Sequence, residues 1–469
     1  MSIEKPAVAH RLRRIALALA VATAPVTAPV TAAAETLTDA LISAYQNSNL
    51  LEQNRAVLRA ADEDVARAIA ALRPTLDFVA TYGWSNVDQF GNSPDGQNPL
   101  TSTYAIVLQL VILDGGQRGL QTELAKETVL ATRESLLGVE QNVLLSAVSA
   151  YAGVLSALAF VDLGENNLRL IQEELEAAQD RFEVGEVTRT DVALAESRLA
   201  QSRSQLAAAR GQLETAREAY RVAVGRYPGT LIPPSSVPET ASTVEEALSI
   251  AVRRHPAIRQ AQREVTASDI SVEIASRAYG PTVSATGRWQ VDDDRDDESR
   301  LGLEFRQPIY TGGRLPSLER RAIAVRDETR ARLHETTLNV REAVANAFSQ
   351  IRVFEAQIAA TQEQVRAAEI AFEGTREEAR LGARTTLDVL DSEQDLLDAR
   401  AAEIDARAQR FVAIYSLLSA MGLLNVQHLQ LGIPTYDPSA YYNAVKTAPA
   451  RLSEQGEALD RVLKRIGRQ

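Results

Sequence analysis

A chain of 469 residues could hold two or three ordinary domains, yet with only 5% aromatic side chains it lacks the bulk of thick globular cores, and its abundant alanine, glutamate, arginine and leucine favour long helices. It contains no cysteine, which excludes a disulfide framework, a thiol nucleophile and a cysteine-ligated metal. Its net charge of −12 argues against nucleic acid as a partner.

The N-terminus carries a basic patch (Arg11, Arg13, Arg14), the apolar run "IALALAVA" (15–22), and an A-x-A site at Ala32 and Ala34. This pattern predicts a secretory signal peptide over 1–34, whose apolar run is too short to span a bilayer. Its removal takes away four basic and one acidic side chain and moves the net charge from −12 to −15. With no cysteine after the cleavage site, lipid attachment there is excluded. No later segment is expected to supply the roughly 20 uninterrupted apolar residues of a transmembrane helix. The exported chain is therefore expected to be periplasmic, secreted, or inserted as a β-barrel.

The first repeat is expected over 35–228. It starts with a helix over 36–73, followed by strands at about 75–86 and 102–113 joined by a polar loop (88–100). In "PTLDFVATYGW" (74–84), Leu76, Phe78, Ala80, Tyr82 and Trp84 share one face, and "YAIVLQLVI" (104–112) supplies the partner strand. "LDGG" (113–116) then opens a proline-free stretch, 117–182, which ends at a tip over 184–190. The next helix, 191–227, places Val192, Leu199, Leu206, Leu213 and Tyr220 seven apart, with Ala195, Ser202, Ala209, Ala216 and Ala223 three residues further on. Large alternating with small at a period of about 3.5 residues is a coiled-coil seam that permits close approach.

A linker (229–243) leads to a second repeat over 244–421. It repeats the plan as a helix, strands at about 281–291 and 300–310, the landmark "YTGG" (310–313), a long helix, a tip over 382–387, and a seam at Leu390, Leu397, Ile404, Phe411 and Leu418. In "PTVSATGRWQV" (281–291), Val283, Ala285, Gly287, Trp289 and Val291 alternate with polar residues, and "LGLEFRQPIY" (301–310) follows as its partner. Gly116 and Gly185 are 69 residues apart, and so are Gly313 and Gly382, with an offset of 197 between repeats. Loops tolerate length changes easily; an equal span therefore implies a rod of fixed reach, about 100 Å if helical. Residues 422–469 form a C-terminal segment.

Strands of about 10 residues match a tilted bilayer crossing. The only two tryptophans, Trp84 and Trp289, fall late in the first strand of each pair, as an aromatic girdle at a membrane interface requires. Four strands are too few for a transmembrane barrel, whose minimum is about eight, so several copies must share one. The fold class expected is mainly α with a small transmembrane β part, built as a two-repeat protomer of long antiparallel coiled-coil helices plus four strands.

Other signals are weaker. "DDDRDDE" (292–298) lacks the ligand spacing of a calcium loop and reads as a solvated extracellular loop. "HETTL" (334–338) has no second histidine four residues on, and the four histidines are scattered, so no metal site is expected. "DGGQRG" (114–119) has neither a Walker lysine nor dinucleotide spacing. No cofactor and no catalytic set is expected, and the chain does not read as an enzyme.

At the two tips, glycine permits chain reversal, and Thr190, Asp191, Thr385 and Asp388 are placed to cap the following helices. Here the sequence resembles the TolC family of outer-membrane efflux and type I secretion channels. "RFEVGEVTRTDV" (181–192) and "RLGARTTLDVLD" (380–391) resemble that family's two periplasmic turns, and "LEFRQPIYTGGR" (303–314) its second strand-to-helix junction. The tail "HLQLGIPTYDPSAYYNAV" (428–445) resembles alphaproteobacterial type I secretion members.

The resemblance implies a homotrimer in the outer membrane of a Gram-negative bacterium, with a twelve-stranded barrel in lipid continued by a twelve-helix periplasmic tunnel. It implies carboxylate rings at the periplasmic aperture from Asp388 and Asp391, and a latch in which Arg384 meets the neighbouring outer hairpin near Thr190 and Asp191. Where the best-known member has a tyrosine assisting that latch, this chain has Ala379. The tips Val184-Gly185 and Leu381-Gly382 match positions where a periplasmic adaptor (membrane fusion) protein docks, itself joined to an inner-membrane ABC or proton-driven transporter. The implied function is export of proteins or small toxic compounds, with type I secretion first and multidrug efflux second. From the heptads alone, a periplasmic coiled-coil adaptor or scaffold is the alternative of a different class.

Overall fold

The computed structural model describes residues 34–84, 100–234, 237–292, 296–451 and 453–466. The expected signal peptide, nearly all of the 88–100 loop and the middle of the acidic run at 292–298 lie outside the described residues. In chain order the elements are α1 (Leu37–Asn47), α2 (Asn49–Ala70), β1 (Thr75–Trp84), β2 (Leu100–Leu113), α3 (Gln117–Glu183) and α4 (Arg189–Val224). The plan repeats with α5 (Val244–Arg254), α6 (Pro256–Arg277), β3 (Thr282–Asp292), β4 (Asp297–Arg306), α7 (Arg314–Arg380) and α8 (Thr386–Ala420), and α9 (Pro438–Val445) and α10 (Glu454–Ile466) follow.

The two long helices, α3 and α7, are each 67 residues. Both begin after a left-handed glycine, Gly116 (φ 83°) or Gly313 (φ 85°), and both end just before another, Gly185 (φ 81°) or Gly382 (φ 77°). Their equal reach of about 100 Å sets the distance between the sheet at one end and the two tips at the other.

Several elements differ from expectation. The helix expected over 36–73 is broken at Ser48, whose backbone is extended and whose side chain accepts from the Leu51 N–H, starting α2 afresh. The second repeat breaks at the matching place because Pro256 keeps His255 out of the helical region (ψ 125°). The helix expected over 191–227 runs from 189 to 224, stopped by left-handed Gly225. The second repeat's last strand ends at Arg306 rather than 310, since Pro308 has no N–H for a ladder.

Among the described residues, α3 is the one helix long and apolar enough to cross a membrane by length and composition, although its apolar run is interrupted by Ser146, Ser149 and Ser156. Residues 141–161 contain no charged side chain. In the fold this stretch supplies the main core, with Leu144, Ala147, Val148, Tyr151 and Val154 buried against α1, α2 and the end of α8.

The four strands form one antiparallel sheet in the order β1-β2-β3-β4, the two repeats meeting where β2 pairs with β3. The register carries one face across all four strands, as in the rows Leu76–Leu108–Gly287–Leu301 and Phe78–Ile106–Trp289–Ser299. That face is apolar and exposed, Phe78 by 70% and Leu301 by 86%. The opposite face is polar, with Gln290 donating to Glu298 (2.9 Å) and Arg300 paired with the same carboxylate (2.8 Å). Among the described residues, β1 and β4 each have a neighbour on one side only.

On α4 the seam residues Ala195, Leu199, Ser202, Leu206, Leu213 and Tyr220 are buried. On α8 the alanines Ala399, Ala406, Ala413 and Ala420, seven apart, are buried while Leu397, Ile404 and Phe411 are half-buried. That side of α8 retains apolar surface for a further helix. Near mid-length, Tyr220 donates to the buried Glu35 carboxylate (2.5 Å), which also meets Arg226 (2.8 Å) and the Gly229 N–H (2.9 Å).

The end of α8 abuts the break between α5 and α6 through Gly422 (φ 75°), where a Cβ would lie 2.7 Å from His255 Cα. Gly422→Ala adds a left-handed non-glycine residue and a backbone clash, together costing on the order of 1–3 kcal/mol. A thermal melt is expected to show a lowered midpoint, and an unchanged one would mean that this junction yields freely.

Candidate functional site

The two tips are built alike. Thr188 is extended (φ −89°, ψ 162°) and its hydroxyl accepts from Asp191 N–H (3.4 Å), while the Asp191 carboxylate accepts from Thr188 N–H (2.8 Å). Thr385 (φ −90°, ψ 161°) does the same with Asp388, at 3.2 Å and 2.9 Å. Each is a reciprocal capping box that satisfies otherwise orphaned N–H groups. Thr188, not Thr190, is thus the first cap, and Thr190 lies inside the first turn of α4. Preceding each box, a left-handed glycine lets the chain fold back, with Glu186 N–H donating to Arg181 C=O and Ala383 N–H to Glu378 C=O, both at 2.9 Å. Val184 and Leu381 project from the tips, 71% and 78% exposed.

The carboxylates differ in what holds them. Asp388 is held below the ordinary carboxylate range by the Thr385 N–H and hydroxyl, so it is charged. Asp391 lies one turn further along α8 and pairs with Arg198 of α4 at 2.9 Å. Arg384 donates to Glu378 of its own hairpin (2.9 Å), and among the described residues no hydrogen bond or ion pair joins it to Thr190 or Asp191. Ala379 is buried with Phe372, Val389 and Leu396, an apolar contact between α7 and α8.

Sequence reasoning missed the group beside Asp391. Glu393 is only 4% exposed, and its Oε1 has no hydrogen-bond partner among the described residues. It faces Glu174 of α3, Arg198 of α4 and Asp398 of its own helix, and Glu174 is paired with Arg376 of α7 (2.7 Å). Burial pushes the Glu393 carboxyl up to about 7, the nearby Arg198 opposing the rise. Four helices are therefore tied by a charged cluster about one to three turns from the tip. A signal existed: Glu393 stands three residues after the seam residue Leu390, on the side of α8 where Ala399, Ala406 and Ala413 are buried further along.

At the sheet, Trp289 is half exposed on the apolar face beside Ile106, whereas Trp84 pairs in register with Leu100, six residues along β1 from the Phe78 row. The two tryptophans thus occupy different rows. Among the described residues, no group of three histidine, aspartate or glutamate side chains is placed to hold a metal ion.

A profile of the family described as "Outer membrane efflux protein" matches residues 40–226 and 247–423. The chain is 33% identical over 419 residues to the outer membrane efflux protein BepC of Brucella suis biovar 1 (strain 1330), covering 88% of this chain and 91% of that one. It is 26% identical to the outer membrane protein TolC of Escherichia coli (strain K12), over 83% of each chain. It is also 26% identical to the proteases secretion protein PrtF of Dickeya chrysanthemi, over 84% of this chain and 89% of that one. The crystal structure of CusC shares the fold at a TM-score of 0.73 and 20% identity, over 82% of this chain and 91% of CusC.

The raised Glu393 carboxyl sets a pH dependence. Its folded value of about 7 exceeds the ordinary 4.5, so the folded state binds the extra proton and this site's contribution to stability falls as pH rises between those values. Glu393→Gln mimics the protonated form. The variant's thermal midpoint is expected to exceed the parent's at pH above about 7 and to converge on it near 4.5; a constant gap across the range would contradict the assignment.

Proposed function

The chain belongs to the outer membrane efflux protein family, and on that premise we propose that three copies form a channel-tunnel in the outer membrane of a Gram-negative bacterium, serving type I protein secretion. As a member of that family it is a channel and not an enzyme. The observation that carries the proposal is the four-stranded sheet, which has an exposed apolar face, a polar face, and two edges that have no neighbour among the described residues. Backbone groups in hydrocarbon must all be bonded, and three such sheets joined edge to edge leave no edge. The same ring would gather α3, α4, α7, α8 and the shorter helices into a tube whose far end carries the tips.

In this reading Asp388 and Asp391 of three copies line the periplasmic mouth, and rings of carboxylate favour cations. The Arg198–Asp391 pair ties the inner hairpin (α7, α8) to the outer one (α3, α4) in the resting state. Arg384 adds a contact toward the outer hairpin of a neighbouring copy, near its Thr190 and Asp191. The exposed apolar tips Val184-Gly185 and Leu381-Gly382 meet a periplasmic adaptor protein, which links the tube to an inner-membrane ABC or proton-driven transporter. Energy comes from that pump. Trp84 and Trp289 contribute interfacial contacts with lipid.

Type I secretion is supported by the tail at 428–445 and by the likeness to a protein named for protease secretion. Drug efflux is the second reading, favoured by the higher identity to a protein named for efflux. A periplasmic adaptor or scaffold, which shares the heptads, has no use for the apolar sheet.

Deleting the gene is expected to remove a secreted polypeptide from the culture medium with little change in sensitivity to dyes and antibiotics; hypersensitivity with an unchanged secretome would reverse the order of the two readings. In planar-bilayer recordings, Asp388→Ala combined with Asp391→Ala should weaken cation preference, and unaltered selectivity would remove these residues from the mouth. Arg384→Ser should raise the resting conductance, whereas a variant as quiet as the parent would place the latch elsewhere.

A further inference from the structure

The C-terminal segment follows α2 step by step toward the sheet. Tyr436 N–H donates to Tyr45 of α1 (3.2 Å), and its ring lies under the Arg55 guanidinium of α2. Tyr441 donates to Glu63 (2.7 Å), two turns further along α2. The chain then reaches Arg73, two residues before β1, whose guanidinium donates to the carbonyls of Thr447 and Ala448. Residue 448 is thereby fixed at the foot of the sheet, where Leu72, Leu113, Ile309 and Tyr310 are exposed.

From this anchor α10 departs in a held position. Gln455 donates to Ala444 C=O (2.9 Å), and Gly456 packs on the Ala450 carbonyl with no room for a Cβ. The helix is strongly two-faced. Leu459, Val462, Leu463 and Ile466 recur at i, i+3, i+4 and i+7, while Glu457, Asp460, Arg461 and Lys464 make the polar face. Val462 is 49% exposed and Leu463 is exposed beside it. An apolar stripe left facing solvent in a short helix, opposite a charged face, has the two-sided pattern of an interfacial helix.

We propose that α10 lies in the periplasmic leaflet of the outer membrane, its Leu459–Val462–Leu463 stripe in the acyl boundary and Arg461 and Lys464 among anionic phospholipid headgroups. One observation selects lipid over other occupants: the stripe starts from an anchor at the foot of the sheet, on the side of the apolar band of Leu76, Phe78 and Leu301; Arg461 and Lys464 on the polar face are then at the level of the headgroups. The inference rests on the reading of that band as lipid-facing. Three such helices would form a collar around the base of the barrel and fix its depth in the membrane.

The parent sequence has no cysteine, so single cysteines report cleanly. Val462→Cys, Lys464→Cys and, as a reference on the sheet, Leu303→Cys are labelled with an environment-sensitive fluorophore. The full chain is reconstituted into vesicles of phosphatidylethanolamine and phosphatidylglycerol, with and without lipids carrying a shallow acyl-chain nitroxide. The expected result is blue-shifted emission and nitroxide quenching at 462 and 303, with iodide quenching from water at 464. Iodide quenching at 462 equal to that at 464, with 303 still shielded, would overturn the proposal while leaving the membrane reading intact. So would a position 462 shielded equally in lipid-free amphipol, which would mean that protein covers it. Loss of lipid quenching at 303 itself would contradict the membrane reading and the collar with it.

Discussion

A strand placed in hydrocarbon must find a bonded partner for every N–H and C=O on both of its edges, and this chain makes four strands with two edges left over. Most of the architecture answers to that imbalance. The apolar face runs unbroken across the sheet because β2 and β3, which come from different repeats, pair in a register that keeps Leu108 beside Gly287 and Ile106 beside Trp289. A shift of one residue would turn every large side chain to the other face. In the proposed assembly the sheet is a fixed arc of wall that further copies close.

The second constraint is reach. Helices α3 and α7 have the same length because both start from the same sheet and must end at the same level. The shorter helices cover that distance in pairs, α4 with α1 and α2, α8 with α5 and α6, and the joints between them fall in the main core. There one side of the uncharged stretch 141–161 of α3 packs against α1, α2 and the end of α8. At the tips the packing thins to seams of alanine and leucine, and charge takes over. A buried, incompletely bonded carboxylate at Glu393 costs stability, and it stands beside the ion pair that joins the outer and inner hairpins. The tip end of the hairpins is thus held by charge and small-residue seams, where the main core is held by large apolar side chains.

Much of this was legible in the sequence because it depends on period and spacing. Heptads, two-residue alternation and the 69-residue glycine interval are arithmetic properties of the chain, and the structure realises them as α3, α4, α7, α8 and the four strands. Single-residue choices were harder to read. Thr188 and Thr190 both precede Asp191, and only the three-residue spacing of a capping box selects Thr188. Ser48 breaks a helix without any proline to announce it. The uncharged run in α3 looks no different from its neighbours until charges are counted along it. Pairings between distant helices, such as Arg198 with Asp391, are set by how hairpins lie against each other, which no local pattern encodes. The tail's course along α2 depends on single contacts from Tyr441 and Arg73 and was equally hidden.

The central claim is that β1 of one copy pairs with β4 of the next. The most direct measurement places one cysteine at Thr81 on β1 and scans a second along residues 297–306 of β4, oxidises the protein in membranes, and resolves the products on a denaturing gel. Edge pairing predicts a ladder that stops at the covalent trimer for a narrow set of β4 positions. Monomer alone at every position, or products that continue past three copies, would contradict it.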